Sequence, residues 1–173
     1  MTKSATGKGL QARSAARLSA VQALYQMEIA GTDLNAVIHQ FSTLRTHSDE
    51  DETAVIAGAD LTFFSELLRG VVRRQGDIDP VIDRQLAEGW RLVRVDATVR
   101  QILRAALFEL IDRPNVPARA VVNEYVEVAK AFFESDEPKL VNAILDRLAR
   151  TYRTAEFTAA AVKPQATTEN GQA

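Results

Sequence analysis

Apolar residues return at three- and four-residue intervals along most of this chain, and alternating runs are scarce. That is the pattern of helices rather than strands. Leu18, Val21, Leu24 and Tyr25 mark a first helix over about residues 10–30, with Gly31 as its stop. Asp33 stands where an N-cap belongs for a second, whose stripe is Leu34, Val37, Ile38, Phe41 and Leu44. The pattern lapses over residues 45–59, an acidic stretch that reads as a solvated loop. Asp60 caps a third helix, with Leu61, Phe64, Leu67, Leu68 and Val71 facing inward and Gly76 near its end. Asp79-Pro80 opens a short fourth helix closed by Gly89. Asp96 caps a fifth, carrying Val99, Ile102, Leu103, Ala106 and Leu110, and the prolines of the 112–117 turn end it. A sixth carries Val121, Val122, Tyr125, Ala129 and Phe132. Pro138 starts a seventh, with Val141, Ile144, Leu145, Leu148 and Tyr152 inward. The expected fold is all-α: a compact bundle of about seven helices over residues 10–153. A flexible basic arm precedes it at 1–9, and a disordered tail, rich in Ala, Thr and Gln, follows over 154–173.

Composition narrows the chemistry. With 173 residues, 46% of them hydrophobic, one packed core suffices. The absence of cysteine excludes a thiol nucleophile, a disulfide scaffold and a cysteine-based zinc site. No apolar run follows the N-terminal lysines, and none approaches the roughly 18 residues of a membrane span. The expected location is the cytoplasm, with no membrane partner. Net charge is only −2, but its distribution is uneven. Lys3, Lys8, Arg13 and Arg17 stand in the first seventeen residues without a single acid, whereas residues 49–52 read Asp-Glu-Asp-Glu.

Arg13 and Arg17 are four apart and share one helix face, continuing the cationic line of Lys3 and Lys8. Such a stripe is what phosphate binding requires. The remaining arginines, among them Arg69, Arg73, Arg74, Arg91, Arg94, Arg100, Arg104, Arg147, Arg150 and Arg153, read as wet helix faces beside acids, with Asp146 and Arg150 spaced to pair. His39 and His47 have no companions at metal-ligand spacing. There is no glycine-rich phosphate loop and no Gly-x-Ser-x-Gly element, so neither a catalytic site nor a cofactor is expected. Tyr25 fits either a core rim or a partner interface. Trp90 reads as a core anchor between the fourth and fifth helices.

Four segments carry a family likeness. Ala16-Arg-Leu-Ser-Ala-Val-Gln-Ala-Leu-Tyr-Gln26 resembles the opening helix of the transcription antitermination factor NusB family. Ile102-Leu-Arg-Ala-Ala-Leu-Phe-Glu-Leu110 resembles a later helix. Val116-Pro117 with Val122-Asn-Glu-Tyr-Val-Glu-Val-Ala-Lys-Ala-Phe132 resembles the next block, and Val141-Asn-Ala-Ile-Leu-Asp-Arg-Leu-Ala-Arg150 the last helix. The blocks keep their order over about residues 13–150. The resemblance implies two small helical bundles packed together, and an RNA-binding protein. Such a protein binds boxA-type nascent RNA as a heterodimer with a small-subunit ribosomal protein, NusE. The pair then joins the elongating RNA polymerase and favours read-through, notably in ribosomal RNA operons. It further implies RNA contacts at Lys8, Arg13 and Arg17, and at Asp136 and Lys139 in the loop before the last helix, with Tyr25 at the ribosomal-protein interface. Ser14 and Ala15 stand where family members often carry more arginine, and Ala143 replaces a usual glycine. Two other classes compete. RNA-methylating enzymes with a NusB-like N-terminal domain need a long strand-rich domain that this sequence does not contain. A helical protein-binding scaffold needs no RNA site at all.

Overall fold

The computed structural model of the chain describes residues 3–47 and 55–158. Within them the chain forms α1 (Lys3–Ala30), α2 (Leu34–His47), α3 (Leu61–Asp83), α4 (Ala97–Asp112), α5 (Ala118–Phe132), α6 (Glu137–Tyr152) and α7 (Thr154–Thr158), with 3-10 turns at Val55–Gly58 and Leu92–Arg94 and no strand among the described residues. The caps sit where the aspartates placed them. Asp33 accepts from the amides of Asn35 and Ala36, Asp60 from Phe63, and Asp96 from Thr98 and Val99. Gly31 ends α1 at φ +66°, a backbone angle that glycine adopts without a steric penalty.

α1, α2 and α3 pack together, α4, α5 and α6 pack together, and α4 lies against both α1 and α3. α4 is therefore the central helix: every residue from Val99 to Leu110 is buried. Gly70 of α3 makes the close approach possible. A Cβ there would lie 2.1 Å from the tip of the Phe108 ring on α4.

Several expectations need correction. The third and fourth helices are one. The inward stripe of α3 continues past Gly76 through Ile78 and Ile82, both fully buried, so packing overrides the break at Pro80. Asp79, expected as a cap, instead pairs with Arg104. The arm expected to be flexible is helical from Lys3. The loop expected at 45–59 contains the end of α2 and a 3-10 turn that buries Ile56, with Ala59 buried beside it; the acidic 49–52 run lies outside the described residues. The tail expected from 154 begins with α7, which is held because Glu156 accepts from the Ala118 amide at 2.7 Å and pairs with Arg153; residues 159–173 lie outside the described ones. Trp90 does not anchor the core: it is 60% exposed. Leu44, Phe132 and Tyr152, expected inward, are exposed as well.

Candidate nucleic-acid interface

The basic opening of α1 divides into two kinds of arginine. Arg17 is 4% exposed and Glu109, in the middle of α4, is 0% exposed. They form a two-pronged pair, Nε to Oε2 at 3.0 Å and Nη2 to Oε1 at 2.5 Å, and Glu124 of α5 approaches the same guanidinium at 3.3 Å. Burial alone would lower the Arg17 pKa. The hydrogen bond and charge of Glu109 more than reverse that, and Arg17 stays cationic. This corrects the expectation for Arg17: its guanidinium is consumed inside the protein, joining α1 to α4 and α5, and is not presented to phosphates. Beside the pair, burial and then Glu109 hold the Tyr125 hydroxyl protonated, far above its ordinary range.

Arg13, one turn earlier, is half-buried and has no carboxylate within ion-pair distance among the described residues. Its guanidinium lies 5.6 Å from the centroid of the Phe63 ring. Arg17 and Arg113 approach the same ring at 5.1 and 4.8 Å, but each is neutralised, Arg17 by Glu109 and Arg113 by Glu66. Phe63 thus holds Arg13 in place while leaving its charge free. Arg13 borders a cleft of 630 Å³ between the start of α1 and the start of α3, whose wall includes Gly9, Gly58 and Thr62. The start of α3 forms the opposite wall, where Asp60 caps the helix by accepting from the Phe63 amide at 3.0 Å. Lys8 is exposed five residues before Arg13, which in the continuous helix α1 puts it roughly 140° around the axis, off the Arg13 face, again without an acidic partner among the described residues. Ser14 donates to Glu124 at 2.7 Å, so the position where arginine was missed is committed to the α1–α5 contact.

The remaining candidates sit elsewhere. Asp136 and Lys139 are exposed and pair with each other at 3.0 Å, Lys139 already inside the first turn of α6. From Glu124, which faces Ser14 and Arg17, α5 runs on for eight residues, about 12 Å, before the loop that holds Asp136. The structure does not bring this pair into the Arg13 cleft. Tyr25 is 41% exposed on α1, with the exposed Ile29 one turn beyond. His39 is exposed, and no cluster of metal-ligand side chains occurs among the described residues. No helix among them is long and apolar enough to cross a membrane.

A second ionic cluster, unforeseen, ties the other end of α1 to α4. Arg100 pairs with Glu28 and donates to the carbonyls of Leu92 and Val95 at 2.9 and 2.7 Å. Arg104 bridges Glu28 and Asp79 at 2.7 Å each. Both arginines, expected on wet faces, are buried. The bond from Arg100, helped by Gln101 and Arg104, holds the Glu28 carboxyl at about 2. Arg153, also expected to be solvated, donates to the carbonyls of Pro114 and Val116 at 2.8 and 2.9 Å. By contrast, Asp146 and Arg150 form the surface pair that their spacing predicted, at 2.8 Å.

The model of the NusB family matches residues 14–150. A protein of Maricaulis maris named transcription antitermination protein NusB is 56% identical over 145 residues, 84% of this chain and 90% of its own length. Its namesake from Caulobacter vibrioides is 51% identical over 148 residues, 86% of this chain and 99% of its own. Among solved structures, T. maritima NusB superposes with a TM-score of 0.68 at 27% identity, covering 84% of this chain and 96% of that one. With an all-helical body and a family match that spans α1 to α6, the chain belongs to the NusB family.

Proposed function

We propose that this protein is an RNA-binding transcription antitermination factor. In this reading it binds boxA-type nascent RNA together with a small-subunit ribosomal protein, NusE. It then joins the cytoplasmic RNA polymerase elongation complex and promotes read-through, notably in ribosomal RNA operons. The relatives at about half identity carry the antitermination name. The family is non-enzymatic, and no chemical step is asked of these residues. One observation supports the RNA reading most: Arg13 keeps an uncompensated guanidinium at the border of a cleft, held in place by the Phe63 ring. Lys8 supplies a second, exposed cation on α1, Lys139 and Asp136 serve a later part of the strand, and Tyr25 with Ile29 gives the ribosomal protein an aromatic-apolar contact.

The test is binding of a labelled boxA-type RNA, with and without the ribosomal protein. Loss of affinity in Arg13→Ala and Lys8→Ala, in a protein that is still folded, supports the reading. A specific observation favours one rival, the protein-binding scaffold: burial of Arg17 leaves fewer free cations than the sequence promised. A partner complex whose RNA binding ignores both substitutions would establish the scaffold instead.

A further inference from the structure

On the far side of α5 from α1 lies a polar cavity that the reading above leaves unused. It has a volume of 290 Å³ and is bounded by Arg119 and Asn123 of α5, Asn142, Asp146 and Arg150 of α6, and Phe157 of α7. Phe157 is partly buried. The guanidinium carbons of Arg119 and Arg150 lie 5.5 and 4.9 Å from its ring centroid, so one aromatic ring holds two guanidinium groups at the cavity. The two differ in charge balance. Arg150 is neutralised by Asp146, whereas Arg119 has no carboxylate within ion-pair distance among the described residues. The carboxamides of Asn123 and Asn142 likewise make no hydrogen bond within the described protein. The wall is firm, because the contacts of Glu156 with Ala118 and Arg153 fix α7 to the start of α5.

We propose that this cavity receives one nucleotide of a single-stranded RNA, beyond the part of the strand held at Arg13. Its phosphate lies on Arg119 and its base edge meets the two carboxamides. The proposal rests on the RNA-binding reading. Three observations favour a nucleotide over a bare anion. A phosphate alone would leave the acceptor oxygens of two asparagines unused and would face Asp146. A carboxamide offers a donor beside an acceptor, the complement of an adenine edge. A guanidinium backed by an aromatic ring is a planar platform on which an unpaired base stacks. Position agrees: Asn123 immediately precedes Glu124, which binds Ser14 and Arg17, so the cavity is at the same level of the bundle as Arg13, with α5 between them.

The experiment compares two RNAs on the full chain with the ribosomal protein present: a boxA-type core, and that core extended by a short adenosine tract. Arg119 and Asn123 are exposed, so Arg119→Ala and Asn123→Ala leave the core packing intact. The expected result is that each weakens binding of the extended RNA by about tenfold and leaves the short RNA unchanged. The side-chain amide NMR signals of Asn123 and Asn142 then move only with the extended RNA. If both variants bind the extended RNA as the parent does and the amides stay still, while Arg13→Ala still weakens both RNAs, the cavity has no such role and the RNA reading stands. If Arg13→Ala changes neither RNA, the RNA reading fails and the cavity proposal with it.

Discussion

Arg13 and Arg17 show how little spacing says about the fate of a side chain. Four residues apart on one helix, they read as an equivalent phosphate-binding pair, yet one is half-buried with its charge unpaired and the other is sealed against Glu109. The missing signal was in the sequence. Glu109 is the one acid in Ile102–Leu110, a run that packing was bound to bury, and a buried carboxylate requires a buried cation. The same logic applies to Arg100 and Arg104, whose spacing puts them one turn apart on a helix that is buried all round. Removing one member of the Arg17 pair strands the other. Arg17→Ala is therefore expected to cost about 3–5 kcal/mol in denaturant unfolding, while Arg13→Ala stays within roughly 0.5 kcal/mol of the parent. Comparable losses in the two variants would refute the division of labour. The Glu28 cluster sets an acid limit. Its carboxyl is held at about 2 against an ordinary 4.5, so its contribution is complete above pH 4.5 and disappears as pH falls toward 2. Acid unfolding of Glu28→Gln should begin from a less stable protein and depend less on pH across that interval.

At the scale of elements, helix type and most caps were legible, because Asp33, Asp60 and Asp96 satisfy first-turn amides by local geometry alone. The boundary that failed, between the supposed third and fourth helices, failed for a tertiary reason. Gly76 and Pro80 both weaken a helix, but Ile78 and Ile82 lie on the buried stripe and carry α3 through. Gly70 likewise has a meaning that only the packed structure reveals. Gly70→Ala gains up to about 1 kcal/mol in helix propensity, yet its methyl group must displace Phe108 at a cost of about 1–3 kcal/mol. The expected net is a lower midpoint in thermal or denaturant unfolding; a raised midpoint would show that α3 and α4 separate without cost.

For the whole molecule, the family was legible from four helical blocks, whereas which cations of the candidate interface stay unpaired was not. The blocks report core pattern, which survives divergence, but charge compensation is a property of helices that meet in space: α1 with α4 and α5, not α1 alone. Partner recognition belongs to this scale too. Tyr25 and Ile29 form an exposed pair on α1 away from the Arg13 cleft. Tyr25→Asp is expected to abolish ribosomal-protein binding in calorimetry while the helical circular dichroism is unchanged. Retained binding would move that interface to another face. The central claim is that Arg13 supplies a direct phosphate contact and Arg17 does not. A salt titration of boxA-type RNA affinity measures it most directly, since each phosphate contact on a single strand adds about 0.7 to the slope of log affinity against log salt. The slope should flatten by about that amount in Arg13→Ala. A slope indistinguishable from the parent's would contradict the account.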